Sequence, residues 1–498
     1  MHSVEDTAAR DPGSANFWGH PRMLWMLLAV TVGFNFAFYG FRAFLAPYVA
    51  DTFFGNLPHD QSLQQANLLF AGFGTLLYAT PIVGGWVADN VLGKVRSLRI
   101  SLWLGILGLL AMASPTKFGF MLGLAFFVLS AGLNIPLTVL IGLNYADKDP
   151  KRDAGYTLFY LAINLGAFIA PFICADWVGT HYGFRWGFVA AAAAQVLVTL
   201  IFEFGHRRLP GADERARFYR KYSSTLVILG CLVLTYPCAL LLSNPEIMHI
   251  VVYVLMAALI LYFVMSSVRR RDRVQSQRYI AILILFIALV AFWAWSLLSA
   301  SALNFFARDY VGSMWSGSIP ILGQWNFTLF QSANPIYILI LAIPISLLWP
   351  WLDKHRVNPS TPRKFGIGLV LVALGYGVLV LADRYGVGAD QRIAWWPLAL
   401  CYLFSTVGEL ALSPIGYAMI GKLAAPEEAS LAMGGWFFGV SVSYDISGQI
   451  AALTTNGHYA GIAGYTHVFE WLLWIGLAIG VIFLLASPRI TRLMHGVR

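Results

Sequence analysis

Long apolar segments recur along the whole chain and set its architecture. Each is at least about 18 residues long, enough for a helix to cross the roughly 30 Å hydrocarbon core of a bilayer. We predict fourteen such spans, which run at 22–50, 64–88, 97–115, 118–146, 153–178, 184–204, 223–243, 247–267, 279–308, 326–353, 364–384, 392–424, 427–455 and 465–487. The pattern predicts an all-α, polytopic integral membrane protein.

Polar and basic stretches divide these spans into groups of six, two and six. The sequence therefore predicts two six-helix bundles joined by a helical pair, with both ends of the chain outside the bundles. In order, the predicted parts are a tail (1–21), the first bundle (22–204), a basic linker with two additional helices (205–278), the second bundle (279–487) and a second tail (488–498). Because residues 1–21 are polar and contain acids, we expect a tail and not a signal peptide.

Composition agrees with this class. Of the 498 residues 58% are hydrophobic and 11% are charged, whereas about 25% are charged in soluble proteins. The four cysteines fall in apolar segments without a CxxC pattern, so we expect small buried residues and neither disulfides nor metal ligands.

The net charge of +9 reflects membrane topology. Most of the 33 Lys and Arg residues fall in the tails and in alternate loops, all on one predicted side of the membrane. This positive-inside distribution predicts that both termini are cytoplasmic. It also removes the reason to expect a nucleic-acid partner.

A single carboxylate lies deep in the span that begins near Trp395. On insertion scales an ionised acid at the centre of a membrane helix costs about 2.5–3.5 kcal/mol, so Glu409 requires a partner, a water-filled cavity or a proton. Ser405, Glu409, Ser413 and Gly416 share one small, polar helix face. We interpret this face as part of a binding site.

The loop after the second span reads GGWVADNVLGKVR (84–96). It matches the GGxxADxxxGxxR loop of major facilitator transporters and lies on the basic side, as in that superfamily. Glycines allow close helix approach, and Asp89 can pair with a neighbouring helix end in one state of the transporter. We predict that Asp89, Lys94 and Arg96 gate the protein and do not bind substrate.

Four further stretches carry a more specific resemblance. They read DAGYTLFYLAINLGAFIAPF (153–172), FQSANPIY (330–337), GELALSPIG (408–416) and GGWF (434–437). Together they resemble the proton-dependent oligopeptide transporter (POT) family, whose bacterial members also have two extra helices between the bundles. The resemblance implies the major facilitator fold and peptide transport.

The chain departs from that family where its members carry charge. The family's first span has ExxERFxYY and then GxR, whereas this chain reads TVGFNFAFYGFR (31–42), which keeps Tyr39 and Arg42. The other charged positions are replaced as well: the acids and first arginine by Thr31, Phe34 and Asn35, the fourth-span lysine by Asn134, and the seventh-span glutamate by Leu297. Asn35, Tyr39 and Arg42 still form one helical stripe.

Two charges remain from the family's site, Arg42 in the first bundle and Glu409 in the second. Opposite charges on facing bundles suit a zwitterion, with its carboxylate on Arg42 and its ammonium on Glu409. The resemblance places further residues in the same cavity: Tyr39, Tyr78, Asn164, Trp293, Asn334 and Trp436.

Proton coupling is where the sequence departs furthest from the family. The resemblance assigns coupling to positions occupied here by Thr31, Phe34 and Leu297, which do not titrate. We therefore expect weakened or absent coupling, with Glu409 as the first candidate carrier. Asp445 is a second candidate, and the alternative for it is a structural hydrogen bond to Ser441 or Ser447.

These observations favour a secondary transporter of small zwitterions, with di- and tripeptides as the leading class. A non-peptide solute, such as an amino-acid derivative, an organic anion or a drug-like amphiphile, remains the alternative within the same fold. An integral-membrane enzyme is disfavoured because ten His residues give no HExxH motif, and no P-loop or nucleophile elbow is present. We expect a monomer in the inner or plasma membrane, with protons as a possible second substrate and with neither cofactor nor metal.

Overall fold

The computed structural model describes residues 16–146, 149, 151–210, 216–270, 272–319, 323–455 and 461–497. Most of the predicted N-terminal tail therefore lies outside the described residues. Its described part forms a short antiparallel hairpin of β1 (Asn16–Phe17) and β2 (His20–Pro21), directly before the first helix. His20 Nδ1 lies 2.8 Å from the hydroxyl of Tyr145, so this hairpin contacts the loop after the fourth span.

The first six spans are built from nine α-helices. They are α1 (Arg22–Arg42), α2 (Leu45–Phe53), α3 (His59–Val87), α4 (Lys94–Met112), α5 (Lys117–Leu133), α6 (Pro136–Leu143), α7 (Arg152–Ala170), α8 (Thr180–Tyr182) and α9 (Phe184–Gly205). Two π-helical segments extend α3 and α7, at Ala88–Leu92 and Pro171–Gly179. Spans one, four and five are thus interrupted helices.

Two helices, α10 (Ser223–Leu242) and α11 (Pro245–Arg269), follow a 3₁₀ turn at His206–Arg208. Both are long and hydrophobic, and most of their residues lie on the surface of the protein, where a bilayer would surround them. We call them the additional helices. Of the two, α11 packs against the second bundle and α10 packs against the first.

The second bundle has seven α-helices. They are α12 (Arg273–Ser296), α13 (Ala302–Tyr310), α14 (Ala333–Lys354), α15 (Thr361–Gly386), α16 (Trp395–Leu423), α17 (Ala429–Leu453) and α18 (Ile462–Leu493). A 3₁₀ segment (Leu297–Ala300) interrupts the seventh span. Between α13 and α14 lie a hairpin of β3 (Ser318–Ile319) and β4 (Gly323–Gln324) and a 3₁₀ segment (Phe327–Ser332), and the 3₁₀ turn Pro426–Glu428 joins α16 to α17.

Among the described residues, thirteen helical segments are long and apolar enough to cross a membrane. The remaining predicted span is α17, a helix of 25 residues that packs along α3 of the first bundle. The polytopic helical fold is therefore confirmed, while the count of fourteen spans and the cytoplasmic position of the termini stay predictions. The last helix is longer than expected, since α18 continues through Pro488 into the predicted C-terminal tail.

Two glycines of the loop motif have clear structural roles. A Cβ on Gly84 would lie 2.1 Å from the backbone oxygen of Gly132, so α3 and α5 touch through their main chains. Gly93, just before α4, has a φ of 83°, a conformation that side chains with a Cβ disfavour. The motif thus fixes the approach of one helix and the turn into the next.

The bundles meet along α3 and α17, whose polar side chains interlock near the helix centres. Ser441 Oγ donates to the carbonyl of Thr75 at 2.7 Å, and Thr75 Oγ1 donates to the carbonyl of Ser441 at 3.3 Å. We call the side of the molecule with β1 and the end of α18 the terminal side, and the opposite one the far side. Between described side chains, the ion pairs that join the bundles lie on the far side: Arg308 with Asp51 at 3.3 Å and His59 with Asp309 at 3.8 Å.

Candidate functional site

A cavity lies between the bundles. It receives side chains from α1, α3, α12, α14, α16 and α17 and from the two 3₁₀ segments of the second bundle. The residues that line it are Tyr39, Arg42, Tyr78, Trp293, Ser296, Leu297, Ser299, Gln331, Asn334, Pro335, Tyr402, Ser405, Glu409 and Tyr444. Two of these side chains carry formal charge, Arg42 and Glu409.

Arg42 is the last residue of α1, where the first span breaks before α2 begins. A cation in this position is favoured by the partial negative charge of the helix C-terminus. Its guanidinium carbon lies 5.5 Å from the ring centroid of Tyr39, a cation–π contact. The buried Nε of Arg42 has no hydrogen-bond partner among the described residues, so part of its donor capacity is unused.

Glu409 lies near the middle of α16 and is oriented by an amide of the neighbouring helix. Asn334 Nδ2 donates to Glu409 Oε2 at 2.9 Å and also lies 3.0 Å from Thr406 Oγ1. Asn334 is placed there by the start of α14, directly after the 3₁₀ segment that ends at Ser332. A neutral amide can orient the carboxylate but does not neutralise its charge.

The two charges therefore face one cavity without pairing with each other in this conformation. Glu409 takes its hydrogen bond from Asn334, and the Nε of Arg42 has no partner among the described residues. Buried charges are costly unless paired or hydrogen-bonded. A ligand with a carboxylate at one end and an ammonium at the other would supply what both lack.

Tyrosines and small hydroxyl groups form most of the remaining polar wall. Tyr402 donates to the carbonyl of Ser299 at 2.9 Å, and its hydroxyl lies 3.2 Å from Gln331 Nε2. Across the interface, the rings of Tyr78 and Tyr444 stack with centroids 5.4 Å apart. These groups offer hydrogen bonds and aromatic faces without adding charge at neutral pH.

Trp293 and Leu297 form the apolar part of the wall. Leu297 opens the 3₁₀ segment after α12 and is largely buried. The residues that the seventh span contributes to the described wall, Trp293, Ser296, Leu297 and Ser299, include no carboxylate.

Four predicted site residues do not line the cavity. Asn35 and Asn164 each donate to the backbone of their own helix, to the carbonyls of Thr31 at 2.8 Å and Tyr160 at 2.9 Å. Asn134 caps α5 at the break before α6, and its buried Oδ1 has no partner among the described residues.

Trp436, the fourth, is 2% exposed and packs away from the cavity. Its indole ring lies over Gly416, where a Cβ would come within 2.6 Å of the ring, and it contacts the ring of Phe365 edge-on. Trp436 thus fills the space between α16 and α15, and the small residue at 416 makes room for it.

The sequence analysis missed Tyr402 and Tyr444 among the lining residues. Tyr402 extends the polar face of Ser405 and Glu409 by one helical turn, and this spacing was a usable signal. Tyr444 had a weaker one, as a polar aromatic residue beside Asp445 in an otherwise apolar helix. Gln331, Ser296 and Ser299 come from 3₁₀ or helix-end positions, which helical periodicity does not predict.

Asp445 lies outside the cavity and is 1% exposed. Its Oδ1 lies 2.5 Å from Nδ1 of His249 on α11, and its Oδ2 accepts a hydrogen bond from Gln449 Nε2 at 2.8 Å. The structural alternative predicted for Asp445 was a hydrogen bond to Ser441 or Ser447. Its carboxylate instead contacts His249 of α11 and Gln449, one turn further along α17.

The three predicted gating residues lie together on the terminal side. Asp89 is exposed in the π-helical turn after α3, while Lys94 and Arg96 open α4. The guanidinium of Arg96 lies 4.6 Å from the ring centroid of Tyr219, in the linker that leads to α10. The loop motif thus contacts the linker in this conformation. Among the described residues, no group of three His, Cys, Asp or Glu side chains could hold a metal ion.

Comparison with known proteins places this geometry in context. A model of the POT family matches residues 97–469. The peptide transporter YePEPT of Yersinia enterocolitica is 32% identical over 91% of this chain and 90% of its own length. A di-/tripeptide transporter of Lactococcus lactis is 29% identical over 97% of this chain and 98% of its own.

Solved structures agree in fold over nearly the whole length. A crystal structure of a mutant of peptide transporter POT in complex with alafosfalin superposes with a TM-score of 0.82 at 28% identity and covers 97% of each chain. A POT family transporter in complex with 5-aminolevulinic acid gives a TM-score of 0.82 at 26% identity, over 96% of this chain and 98% of its own.

Proposed function

Since the chain belongs to the POT family, a family of multi-pass membrane transporters, we propose that it carries small zwitterionic solutes by alternating access, with di- and tripeptides as the leading substrates. Membership of this family excludes the enzyme alternative and agrees with location in the cell inner membrane. The transporting unit we propose is the monomer, because one chain supplies every described residue of the cavity wall.

One observation carries the choice of a zwitterion: Arg42 and Glu409 line the same cavity from opposite bundles and do not pair. A ligand whose carboxylate binds Arg42 and whose ammonium binds Glu409 bridges the bundles. Hydrogen bonds between ionised groups are about twice as strong as neutral ones. A bound zwitterion would thus favour bundle closure.

The names of the relatives support peptides as the leading class. Several of them are described as di- or tripeptide transporters, over nearly the full length of this chain. Peptides also fit the wall, since Tyr402, Gln331 and Ser299 offer hydrogen-bonding groups beside the two charges.

A non-peptide zwitterion is the second candidate, and the composition of the wall favours it. Leu297 and the neutral residues Thr31, Phe34 and Asn134 stand where the family pattern has charged groups. A neighbour in the same fold binds 5-aminolevulinic acid, a compound with one amino and one carboxyl group. Arg42 and Glu409 can bind such a molecule by the same two contacts.

Proton coupling should be weaker here than the family resemblance alone implies. Glu409 is the carboxylate that remains in the described cavity wall, and it is the first candidate to bind a proton within the cavity. A substrate ammonium and a proton would then compete for one group.

Alternating access requires the far-side contacts to open as the terminal side closes. The described conformation has Arg308 paired with Asp51 and His59 near Asp309, and we propose that these contacts contribute to closing the far side. We propose that Asp89, Lys94 and Arg96 act on the terminal side, where the loop motif meets the linker.

The test is a thermal-shift screen of purified protein followed by counterflow in proteoliposomes. A ligand at 100 times its Kd raises stability by about 2.7 kcal/mol through mass action, so binders are readily detected. We expect L-Ala-L-Ala or a small amino acid derivative to stabilise the protein and to exchange across the membrane. Stabilisation by neutral or purely anionic solutes alone would contradict the zwitterion assignment.

A further inference from the structure

We propose that His249 and Asp445 form a proton-binding site between the additional helices and the second bundle, and that this site links pH to transport. The proposal rests on the proposed function in one respect, that the chain is a transporter whose α17 moves against α3. It gives the additional helix α11 a role beyond connecting the bundles.

The site is formed by side chains of α11 and α17 that surround the carboxylate of Asp445. Asp445 of α17 is 1% exposed, and both of its oxygens are engaged, by His249 at 2.5 Å and by Gln449 at 2.8 Å. Gln449 Nε2 also donates to the hydroxyl of Tyr253 at 2.6 Å, one turn after His249 on α11. The four side chains form one hydrogen-bonded cluster.

The chemistry of the pair permits a proton to come and go. An ionised carboxylate only accepts hydrogen bonds, so His249 presents its Nδ1–H to Asp445 and keeps Nε2 for a further proton. Imidazole is the side chain whose ordinary titration falls in the physiological range. Binding one proton at Nε2 changes the pair from a net charge of −1 to neutral, and no covalent bond to carbon forms or breaks.

His249 is less deeply buried than Asp445 and lies nearer to one end of its helix. Its side chain is 24% exposed, and it is the fifth residue of α11, near the far-side end of that helix. We propose that the proton arrives at Nε2 from the far side while the carboxylate stays buried. A buried carboxylate without such a partner would be strongly disfavoured in a membrane.

The other titratable groups on the helices packed against the pair are few. Glu246, one turn before His249, is exposed at the start of α11. On α12 the ionisable side chains are Arg273, Arg278 and Tyr279, all at its terminal-side end, and none follows from Ile280 to Ser296. On α3, His59 and Asp60 lie in the first turn. Further ionisable groups on the neighbouring helices are Tyr78 on α3, Cys231, Tyr236 and Cys238 on α10, Tyr253, Tyr262 and Arg269 on α11, Cys401, Tyr402, Glu409, Tyr417 and Lys422 on α16, and Tyr444 on α17.

The cluster is attached to the moving parts of the transporter. Tyr444, the neighbour of Asp445, lines the substrate cavity, and Ser441, one turn away, bonds to Thr75 of the first bundle. A change in charge at Asp445 therefore acts on the helix that carries both the cavity wall and the bundle interface.

A second polar contact binds α11 to α17 at the terminal side. Glu428, just before α17, accepts hydrogen bonds from Tyr262 at 3.0 Å and Ser266 at 2.9 Å of α11, and from Tyr279. Arg270, which follows α11, lies 3.4 Å from the same carboxylate. With contacts at both ends, α11 is fixed to the second bundle and can transmit protonation to it.

The experiment compares His249→Gln and Asp445→Asn with the wild type in proteoliposomes, using L-Ala-L-Ala as the probe. Counterflow at equal pH on both sides measures exchange without a proton gradient. Accumulation under an inward gradient of about one pH unit at zero membrane potential measures coupling, with an ideal one-proton ratio of about tenfold. We expect both variants to keep counterflow within about twofold of the wild type and to lose the gradient-dependent accumulation.

Glu246→Gln is the matched control, since it removes an exposed acid one turn from His249 and should accumulate like the wild type. His249→Asn, which retains a side-chain amide near the carboxylate, keeps the test open if Asp445→Asn does not fold. A wild type that exchanges but ignores the gradient would overturn the proposal and leave the transport function standing. Accumulation retained in both pair variants would overturn it as well and assign coupling to Glu409, whereas absence of counterflow with any zwitterion would remove the proposed function itself.

Discussion

Two carboxylates on consecutive helices of the second bundle, Glu409 and Asp445, have very different surroundings. Glu409 on α16 faces a cavity and accepts a hydrogen bond from a neutral amide, Asn334. Asp445 on α17 lies outside that cavity, between a histidine and a glutamine. The protein completes the surroundings of Asp445 and leaves the charge of Glu409 for a ligand.

The partners explain the difference. A protonated histidine neutralises a neighbouring carboxylate and loses this positive charge when it gives up the proton. An amide is always neutral, so it can only orient the carboxylate. In our account Glu409 therefore binds the ammonium group of the substrate. Asp445, through His249, responds to pH. The family resemblance places both functions in the cavity, whereas we propose that this chain divides them between two sites.

The largest effect should follow from removing either charge of the cavity. Glu409→Gln and Arg42→Ala should each weaken binding of L-Ala-L-Ala by at least about 30-fold, since truncating one partner of a buried charged contact costs about 2 kcal/mol or more. Isothermal titration calorimetry measures this directly. Glu203→Gln, which removes a carboxylate paired with Arg99 at 2.7 Å outside the cavity, should bind like the wild type.

The double variant Arg42→Met with Glu409→Met separates folding from binding. Replacing both buried charges by apolar side chains is often neutral for stability, so this protein should fold and fail to bind. Binding restored in the double variant would contradict the role of the two charges.

A smaller effect is expected at the second acid, where the partners already satisfy each other. A double-mutant cycle of His249→Gln and Asp445→Asn should give a coupling energy of about 1–2 kcal/mol in unfolding from mixed micelles, because contacting residues do not add independently. A cycle of Glu246→Gln with Asp445→Asn should be additive within about 0.5 kcal/mol. Additivity in the first cycle would show that the His249–Asp445 contact contributes nothing to the fold.

Removing the far-side ion pair of Arg308 with Asp51 should have a smaller effect than changing His249 or Asp445. The side chain of Asp51 is 64% exposed and that of Arg308 is 19% exposed, and exposed pairs contribute about 0–1 kcal/mol. Asp51→Asn should therefore raise far-side thiol labelling of the Tyr39→Cys variant by no more than about fivefold. Asp390→Asn, a charge change in the loop between α15 and α16, should leave labelling unchanged, and an equal rise there would point to a general loosening.

The smallest expected effect concerns pH and the contact of Glu428 with α11. Desolvation raises the pKa of Glu428, but hydrogen bonds from Tyr279, Ser266 and Tyr262, with the nearby Arg270, hold that pKa below its ordinary value of 4.5. A depressed pKa stabilises the fold above the unfolded-state value, and this stability is lost as pH falls through the folded-state value. Glu428→Gln should flatten the melting temperature profile below about pH 4.5, whereas Glu427→Gln, at a side chain 73% exposed, should not.

The sequence predicted the helices well because each has a length and hydrophobicity that the membrane requires. The predicted ranges overlap every long helix, and the loop motif led correctly to Gly84 and Gly93. The interruptions were not predictable, since the π-helical turn at Ala88–Leu92 and the 3₁₀ segment at Leu297–Ala300 have no distinct composition.

Site residues were predictable where one helix face carried the signal. Arg42, Tyr39 and Glu409 come from such faces, and the structure brings them to one cavity. The partner of Asp445 could not be predicted from the sequence, because His249 lies 196 positions away on a helix that does not belong to either six-helix bundle. For Trp436 the family resemblance suggested a cavity position, whereas in this conformation its ring packs against Gly416 and does not line the cavity.

The central claim is that Arg42 and Glu409 bind opposite ends of one zwitterion, and a cycle between ligand and protein tests it most directly. Binding of L-Ala-L-Ala, its N-acetyl derivative and its C-terminal amide would be measured on the wild type, Arg42→Met and Glu409→Gln. We predict that Glu409→Gln no longer distinguishes the peptide from its N-acetyl derivative, and that Arg42→Met no longer distinguishes the peptide from its amide. Discrimination that persists unchanged in both variants would contradict the account.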